Sequence, residues 1–198
     1  ALRVQLTWKQ LRLVVASIKH YDQQIAQVFA EHDDHDLFDS LPGAGAEILI
    51  DRVRRLISKG KCGAQEWLDI MHEAHKLNIT TSATMMFGHV ENMSHVARHF
   101  GELKAIQNKT NGITEFVPLP FVASEAPIYM RGLSRPGPTF KESVLVHAAA
   151  RIFFYDSIDN IQGSWVKMGI PGLKFLLSAG INDVGGILMN ESITKAAG

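Results

Sequence analysis

Thr84-Met85-Met86-Phe87-Gly88-His89-Val90-Glu91 decides the reading of this chain. The residues from Thr80 to Met86 are small, β-branched or apolar and favour an extended strand. Gly88 breaks the run, a polar turn follows, and an amphipathic helix begins near Met93. A strand, a tight glycine turn and a helix in this order make one βα unit. In parallel α/β proteins, ligands lie just past the carboxyl ends of the strands. Gly88 at that point lets a ligand approach the backbone, and Glu91 beside it can bind a ribose hydroxyl or an ammonium group. The alternative is a glycine that only makes the turn and a glutamate that only caps the helix. A lone Gly-x-x-Glu does not separate the two.

The stretches on either side repeat the pattern. Ile50 to Ser58 reads as a short basic helix, Lys59-Gly60-Lys61 as a turn, and Ala64 to Leu77 as a helix with Trp67, Leu68, Met71, Ala74, His75 and Leu77 inward. Met93 to Thr110 is the next helix, stopped by Asn111-Gly112. Thr114 to Leu119 is a strand interrupted by Glu115. Phe121 to Pro138 is an irregular, proline-rich loop expected to be ordered at the active site. Thr139 and Glu142 form a capping box for a helix to about Tyr155, with Val144, Ala148, Ile152 and Tyr155 on its inner face. Asn160 to Lys167 reads as a strand, Gly169 to Ala179 as a turn and helix, Ile181 to Gly186 as a short strand, and Asn190 to Ala197 as a helix. Such repeats of about 30 residues imply parallel βα units. Glu115, Gln162, Lys167, Asn182 and Asp183 stand at or near the strand ends, where polar groups point at a ligand or bond across the interior.

Upstream, Leu6 to Glu31 reads as one long amphipathic helix and Pro42-Gly43-Ala44-Gly45 as a turn. Glu31-His32-Asp33-Asp34-His35-Asp36 invites a metal reading, and a solvated helix-ending loop is the simpler one. His72 and His75, and likewise His95 and His99, have ligand spacing on a helix. Without a clear third ligand His72 and His75 read as ordinary helix residues, and His95 and His99, with His89 the one nearby third candidate, as a partly exposed helix face.

The whole chain has 198 residues, 46% of them hydrophobic, with 20 basic and 20 acidic side chains. The balance of charge makes no case for nucleic acid as a partner. No apolar run reaches the roughly 20 residues that span a bilayer, and residues 1 to 9 lack the layout of a secretory signal. The single cysteine, Cys62, rules out an internal disulfide and points to a reducing compartment, hence the cytoplasm.

Taken together, Ala46-Glu47-Ile48-Leu49, Met86 to Glu91, Thr114-Glu115-Phe116-Val117-Pro118-Leu119-Pro120-Phe121, Ala126-Pro127-Ile128-Tyr129, Arg135-Pro136-Gly137-Pro138-Thr139, Asn160-Ile161-Gln162, Ser164-Trp165-Val166-Lys167, Asn182-Asp183 and Leu188 to Ser192 resemble one family in this order. It is the radical-SAM enzymes that build the deazaflavin chromophore of coenzyme F-420, at the CofH subunit or the matching C-terminal half of fused FO synthases. Menaquinone-pathway enzymes share the early motifs. The Pro-Leu-Pro-Phe and Ser-Trp-Val-Lys stretches favour CofH.

The resemblance implies an α/β fold: a partial (β/α) TIM-type barrel, about strands 4–8, over residues 41–198. Residues 1–40 precede it as a helical segment. It implies S-adenosylmethionine and a 4Fe–4S cluster as cofactors. Tyrosine and 5-amino-6-(D-ribitylamino)uracil are the implied substrates, with a CofG-type enzyme as partner. Gly88 and Glu91 match the S-adenosylmethionine turn, and Glu47 an acid near its ribose. Glu115, Gln162, Lys167, Asn182 and Asp183 become candidates for the substrate cavity.

The family holds its cluster with Cys-x-x-x-Cys-x-x-Cys, which this chain lacks, so the cluster is not expected to bind this chain alone. The early barrel strands are also missing, the chain stops where the family usually continues, and Asn111 and Gly163 replace an expected Gly and Cys. Leu6 to Gly45 resembles instead the segment entering the C-terminal domain of DEDD-type insertion-sequence transposases, with a join expected between Ser40 and Ala46. Three readings follow: a fragment of the transferase inactive by itself, a transposase-derived DNA-linked protein, or a non-catalytic scaffold.

Overall fold

The computed structural model of the chain describes residues 48–58, 60–124 and 126–185. Glu47, the long helix, the acidic loop, the turn at 42–45 and the terminal helix lie outside these residues.

Three parallel strands carry the fold: β1 (Thr81–Phe87), β2 (Ile113–Pro120) and β3 (Asn160–Ile161), side by side in that order. Ala83 lies opposite Phe116, and Phe116 opposite Ile161. Helices α1 (Asp51–Ile57) and α2 (Ala64–Lys76) precede β1. Helix α3 (Met93–Thr110) joins β1 to β2, a short α4 (Pro127–Met130) and α5 (Phe140–Phe154) lead to β3, and α6 (Trp165–Ser178) follows it. The alternation of strand and helix expected from the sequence is present as a mixed α/β structure.

Side-chain alternation along each strand divides the sheet into two faces. Ala83, Met85, Phe87, Phe116 and Ile161 are buried. Phe116 packs on Phe100 of α3 at 5.4 Å and on Phe154 of α5 at 5.1 Å between ring centroids. The opposite face presents Thr84, Met86, Glu115, Leu119 and Gln162, all half-exposed. A parallel sheet is ordinarily covered on both faces, so among the described residues this one-sided arrangement leaves a face suited to binding.

Local signals explain several boundaries. Asn92 caps α3 by accepting from the His95 N–H at 3.1 Å, and Asn111 ends it in the left-handed region at φ 50°. Gln107 then ties α3 to the start of β2. Its amide oxygen accepts from the Ile113 N–H at 2.8 Å, and its nitrogen donates to the Ile113 and Ser157 carbonyls. Thr139 and Glu142 form the expected capping box of α5.

Three expectations need correction. The buried face of α5 is Ser143, Val146, His147, Ala150 and Phe154, while Ile152 and Tyr155 are each 78% exposed. Apolar residues surround this helix, so its periodicity alone is ambiguous. Burial of Phe154 among Phe100, Phe116 and Phe153 selects the rotation. The strand expected over Asn160 to Lys167 ends at Ile161, and Trp165 to Lys167 belong to the first turn of α6. Gly163 lies just past the break, where a side chain would run into Ile181 and Leu176. Helix α6 kinks at Gly169 (φ 65°) and resumes with Pro171 near its new start, a place proline tolerates. Third, among the described residues the strand expected over Ile181 to Gly186 is reduced to one parallel bridge, Asp183 to Gln162.

Candidate functional site

The turn after β1 is built around Glu91. Its carboxylate accepts from the Gly88 N–H at 2.7 Å and the His89 N–H at 2.8 Å, and its side chain is wholly buried. Arg135 donates to the same carboxylate at 3.2 Å. Burial by itself would raise the Glu91 pKa, but His89 and the backbone N–H groups outweigh it and hold the group ionised below its ordinary value. Glu91 therefore shapes the turn from within. Gly88, at φ +97°, is required by a close approach of a different kind from the one its position suggests. A Cβ there would collide with the Pro138 ring and with Gly137.

His89 is also buried. Its Nε2 donates to the Met86 carbonyl at 2.9 Å, and Nδ1 accepts from the Val90 N–H at 2.7 Å. Its ring meets Phe121 edge to face at 5.9 Å.

The loop from Phe121 to Pro138 is strapped back over this turn. Phe121 N–H bonds to the Phe87 carbonyl at 2.8 Å, and Arg135 N–H to the His89 carbonyl at 2.9 Å. The Arg135 guanidinium bridges Glu91 and Glu142, the latter at 2.8 Å. Glu142 is held down to about 2, first by the Thr139 N–H and then by Arg135. The Glu142 hydrogen bond is the main reason the Arg135 pKa rises. Under the strap lies a cavity of about 470 Å³, lined among others by Ile57, Met86, His89, Phe121, Ile128 and Arg131. It sits at the carboxyl ends of β1 and β2, and its described lining contains none of Gly88, Glu91, Glu115, Gln162, Lys167, Asn182 and Asp183. A second cavity of about 540 Å³ lies between α1 and α2, lined by Arg54, Arg55, Lys61 and Cys62, away from the strand ends.

The remaining candidates divide. Glu115 and Gln162 meet across β2 and β3, with Gln162 Nε2 donating to the Glu115 carboxylate at 3.0 Å. Asp183 is paired with Gln162 through the backbone, and its carboxylate accepts from the Gly185 N–H at 2.7 Å. Asn182 is an internal clasp. Its Oδ1 accepts from Ile161 N–H at 2.9 Å and Arg151 at 2.6 Å, while Nδ2 donates to the Asp159 carbonyl at 3.0 Å. Lys167 stands in the first turn of α6, off the strands.

The histidine pairs are structural. His75 reaches the hydroxyls of Thr110 at 2.6 Å and Thr81 at 2.8 Å. Contrary to the expected partly exposed face, His99 is 1% exposed, and its Nδ1 accepts from the Leu49 N–H at 3.0 Å. Arg131 and Arg135 escaped the sequence reading, although a cation just before a capping box with glutamate at its third position was a usable signal.

Residues 110–198 match the family model described as the CofH/MqnC C-terminal region. Over 160 residues, 81% of this chain, the sequence is 49% identical to an FO synthase of Nocardia farcinica and 48% identical to that of Streptomyces coelicolor. Over residues 110–198 the chain is thus similar to the CofH/MqnC C-terminal region. The CofH-type relatives include a 5-amino-6-(D-ribitylamino)uracil–L-tyrosine 4-hydroxyphenyl transferase of Methanothermobacter thermautotrophicus, 46% identical over 159 residues. The chain spans 18% of each of these two FO synthases and 43% of that transferase. Among the described residues no helix is long and apolar enough to cross a membrane.

Proposed function

We propose that this chain is the C-terminal part of a CofH-type transferase, which couples the 4-hydroxybenzyl portion of tyrosine to 5-amino-6-(D-ribitylamino)uracil on the route to coenzyme F-420. What supports the reading most is identity of 46–49% over four-fifths of the chain. The half-exposed face of the sheet is then the inside of a (β/α) barrel that residues 41–198 complete in part, and residues 1–40 are a separate segment. Glu115, Gln162 and Asp183 lie on or beside that face and are the polar groups offered to the uracil. A CofG-type enzyme would take the product onward in the cytoplasm, with no part for nucleic acid.

S-adenosylmethionine fits the turn after β1 as a surface rather than as a partner of Glu91, whose carboxylate the backbone already engages. Glu47 and the turn backbone beyond Gly88 would hold it, since Pro138 fills the space at Gly88 itself, and it supplies the radical precursor when bound. Glu91 keeps the turn in shape. The cluster does not fit this chain's own residues: one thiol cannot replace the several thiolates it needs. The Cys62 sulfur also accepts from the Arg54 guanidinium at 3.7 Å. The proposed activity therefore requires cluster ligands from other sequence.

A hybrid tests the reading. Residues 46–198 replace the matching part of the Methanothermobacter transferase, and the coupled product is measured anaerobically. An active hybrid is expected. A folded, cluster-loaded hybrid that forms no product would overturn the proposal.

A further inference from the structure

We propose that the cavity under the loop binds an aromatic carboxylate, with its ring among Met86, Phe121 and Ile128 and its carboxylate on Arg131. Resting on the CofH-type reading, this makes the cavity the tyrosine subsite and Arg131 the residue that selects for the amino acid's acid group.

The cavity is the right size for a small ligand. Its walls are apolar: Ile57 from α1, Met86 from the end of β1, Phe121 just past β2, and Ile128 and Leu133 around α4. His89 adds no polar demand, because its Nε2 and Nδ1 already bond to the Met86 carbonyl and the Val90 N–H. It offers a flat ring at right angles to Phe121. Such an interior leaves the hydroxyls of a ribityl chain or the donors and acceptors of a uracil without partners, which is costly. A phenyl or phenol ring meets no such penalty and gains edge-to-face contact.

Among the described lining residues Arg131 is the one permanently charged side chain, and it is a cation. Arg131 Nε donates to the Pro127 carbonyl at 3.0 Å, which orients the guanidinium at the end of α4. A planar guanidinium pairs best with a carboxylate. The ligand class follows from these two facts: an aromatic body and one anionic group. The neutral, polar uracil substrate suits the Glu115–Gln162 face instead.

The test uses the 198-residue chain and equilibrium dialysis with L-tyrosine, 4-hydroxyphenylpropionate and tyramine. Both carboxylates should bind saturably, and tyramine about tenfold or more weakly. Arg131→Met should erase the difference between tyrosine and tyramine, Arg131→Lys should restore part of it, and Ile128→Trp should abolish binding by filling the cavity. Circular dichroism and the thermal midpoint check the fold of each variant, and Arg131→Met alters an exposed side chain that leaves the core intact. The proposal is overturned if no carboxylate binds, if tyramine matches tyrosine, or if Arg131→Met or Ile128→Trp leaves tyrosine affinity unchanged. The hybrid transferase separates this from the parent reading. An active hybrid whose tyrosine KM ignores Arg131→Met sinks the subsite alone. An inactive hybrid beside intact carboxylate binding sinks the CofH-type activity alone.

Discussion

Acidification should loosen this protein through His99 before it protonates the carboxylates. The ring is 1% exposed, packs on Phe116 at 6.1 Å and accepts from the Leu49 N–H through Nδ1. Its proton therefore sits on Nε2, which has no hydrogen-bond partner among the described residues. Burial first, and the charge of Arg54 second, hold the pKa down at about 3 against an ordinary 6.5. Above pH 6.5 the ring is neutral in folded and unfolded chains alike, and no pH dependence arises. Between pH 6.5 and about 3 only the unfolded chain takes the proton, so stability falls with pH. The slope is about 1.4 kcal/mol per pH unit, hence about 2 kcal/mol lost by pH 5. That is a large part of the roughly 5–15 kcal/mol that hold a typical domain together. His147 and His75 are also shifted downward, chiefly by burial, and add in the same direction. His99→Gln isolates the one group, because it keeps an acceptor for Leu49 and cannot titrate. Urea unfolding of both proteins at pH 7 and pH 5 should show the wild type losing about 2 kcal/mol more than the variant. Hydrogen exchange at the Leu49 amide should accelerate in acid in the wild type alone. Equal losses in the two proteins would refute the account.

Gly88→Ala forces a side chain into a left-handed turn and against Pro138, so urea unfolding should show a loss of roughly 2–4 kcal/mol, and an unchanged midpoint would contradict the close approach. Glu91→Gln turns an amide donor toward one of two backbone donors. It should cost about 2–3 kcal/mol and raise amide exchange at Gly88 or His89. Arg135→Gln removes one partly exposed ion pair, to Glu142, and the cation on the buried Glu91, for about 1–3 kcal/mol. A carboxylate NMR titration should then find the Glu142 pKa raised above about 2 yet short of its ordinary value, since the Thr139 N–H remains. Phe154→Ala should cost about 3–5 kcal/mol and Tyr155→Ala no more than about 0.5, which checks the rotation of α5 by differential unfolding.

Much of the architecture was legible because short-range chemistry decides it. Asn92 and Thr139 cap the helices that follow them, Asn111 ends α3, and Gly88 breaks β1 where the residue pattern said it would. The misread stretches depend on distant residues. Nothing near Ile152 reveals that Phe154 has two phenylalanines, Phe100 and Phe116, waiting for it on other elements. Nothing in Asn160 to Lys167 shows that Ile181 and Leu176 close over Gly163. The same limit applied to the site. The position of Arg131 over Phe121 and Met86 follows from a short helix inside a loop, and the strap through Arg135 joins residues 44 positions apart.

The two strand-end carboxylates show how geometry sorts groups that sequence treats alike. Glu91 and Glu115 both follow or interrupt apolar β runs, and either reads as a ligand contact. Glu91 is enclosed, with two backbone N–H groups and a guanidinium on its oxygens. Opening it to a ligand means leaving buried donors unsatisfied, at about 1–3 kcal/mol each. Glu115 is half-exposed and meets one side-chain donor, Gln162, on the face that the described helices leave uncovered. A ligand amide can replace that donor with no such loss, since the Gln162 amide can turn to a second group of the same ligand. Recognition therefore belongs with Glu115 and the cavity, and Glu91 is the reason the cavity has a wall. The corresponding experiment compares Glu115→Gln with Glu91→Gln: the former should alter binding of the uracil substrate with the unfolding midpoint intact, and the reverse pattern would place recognition back in the turn.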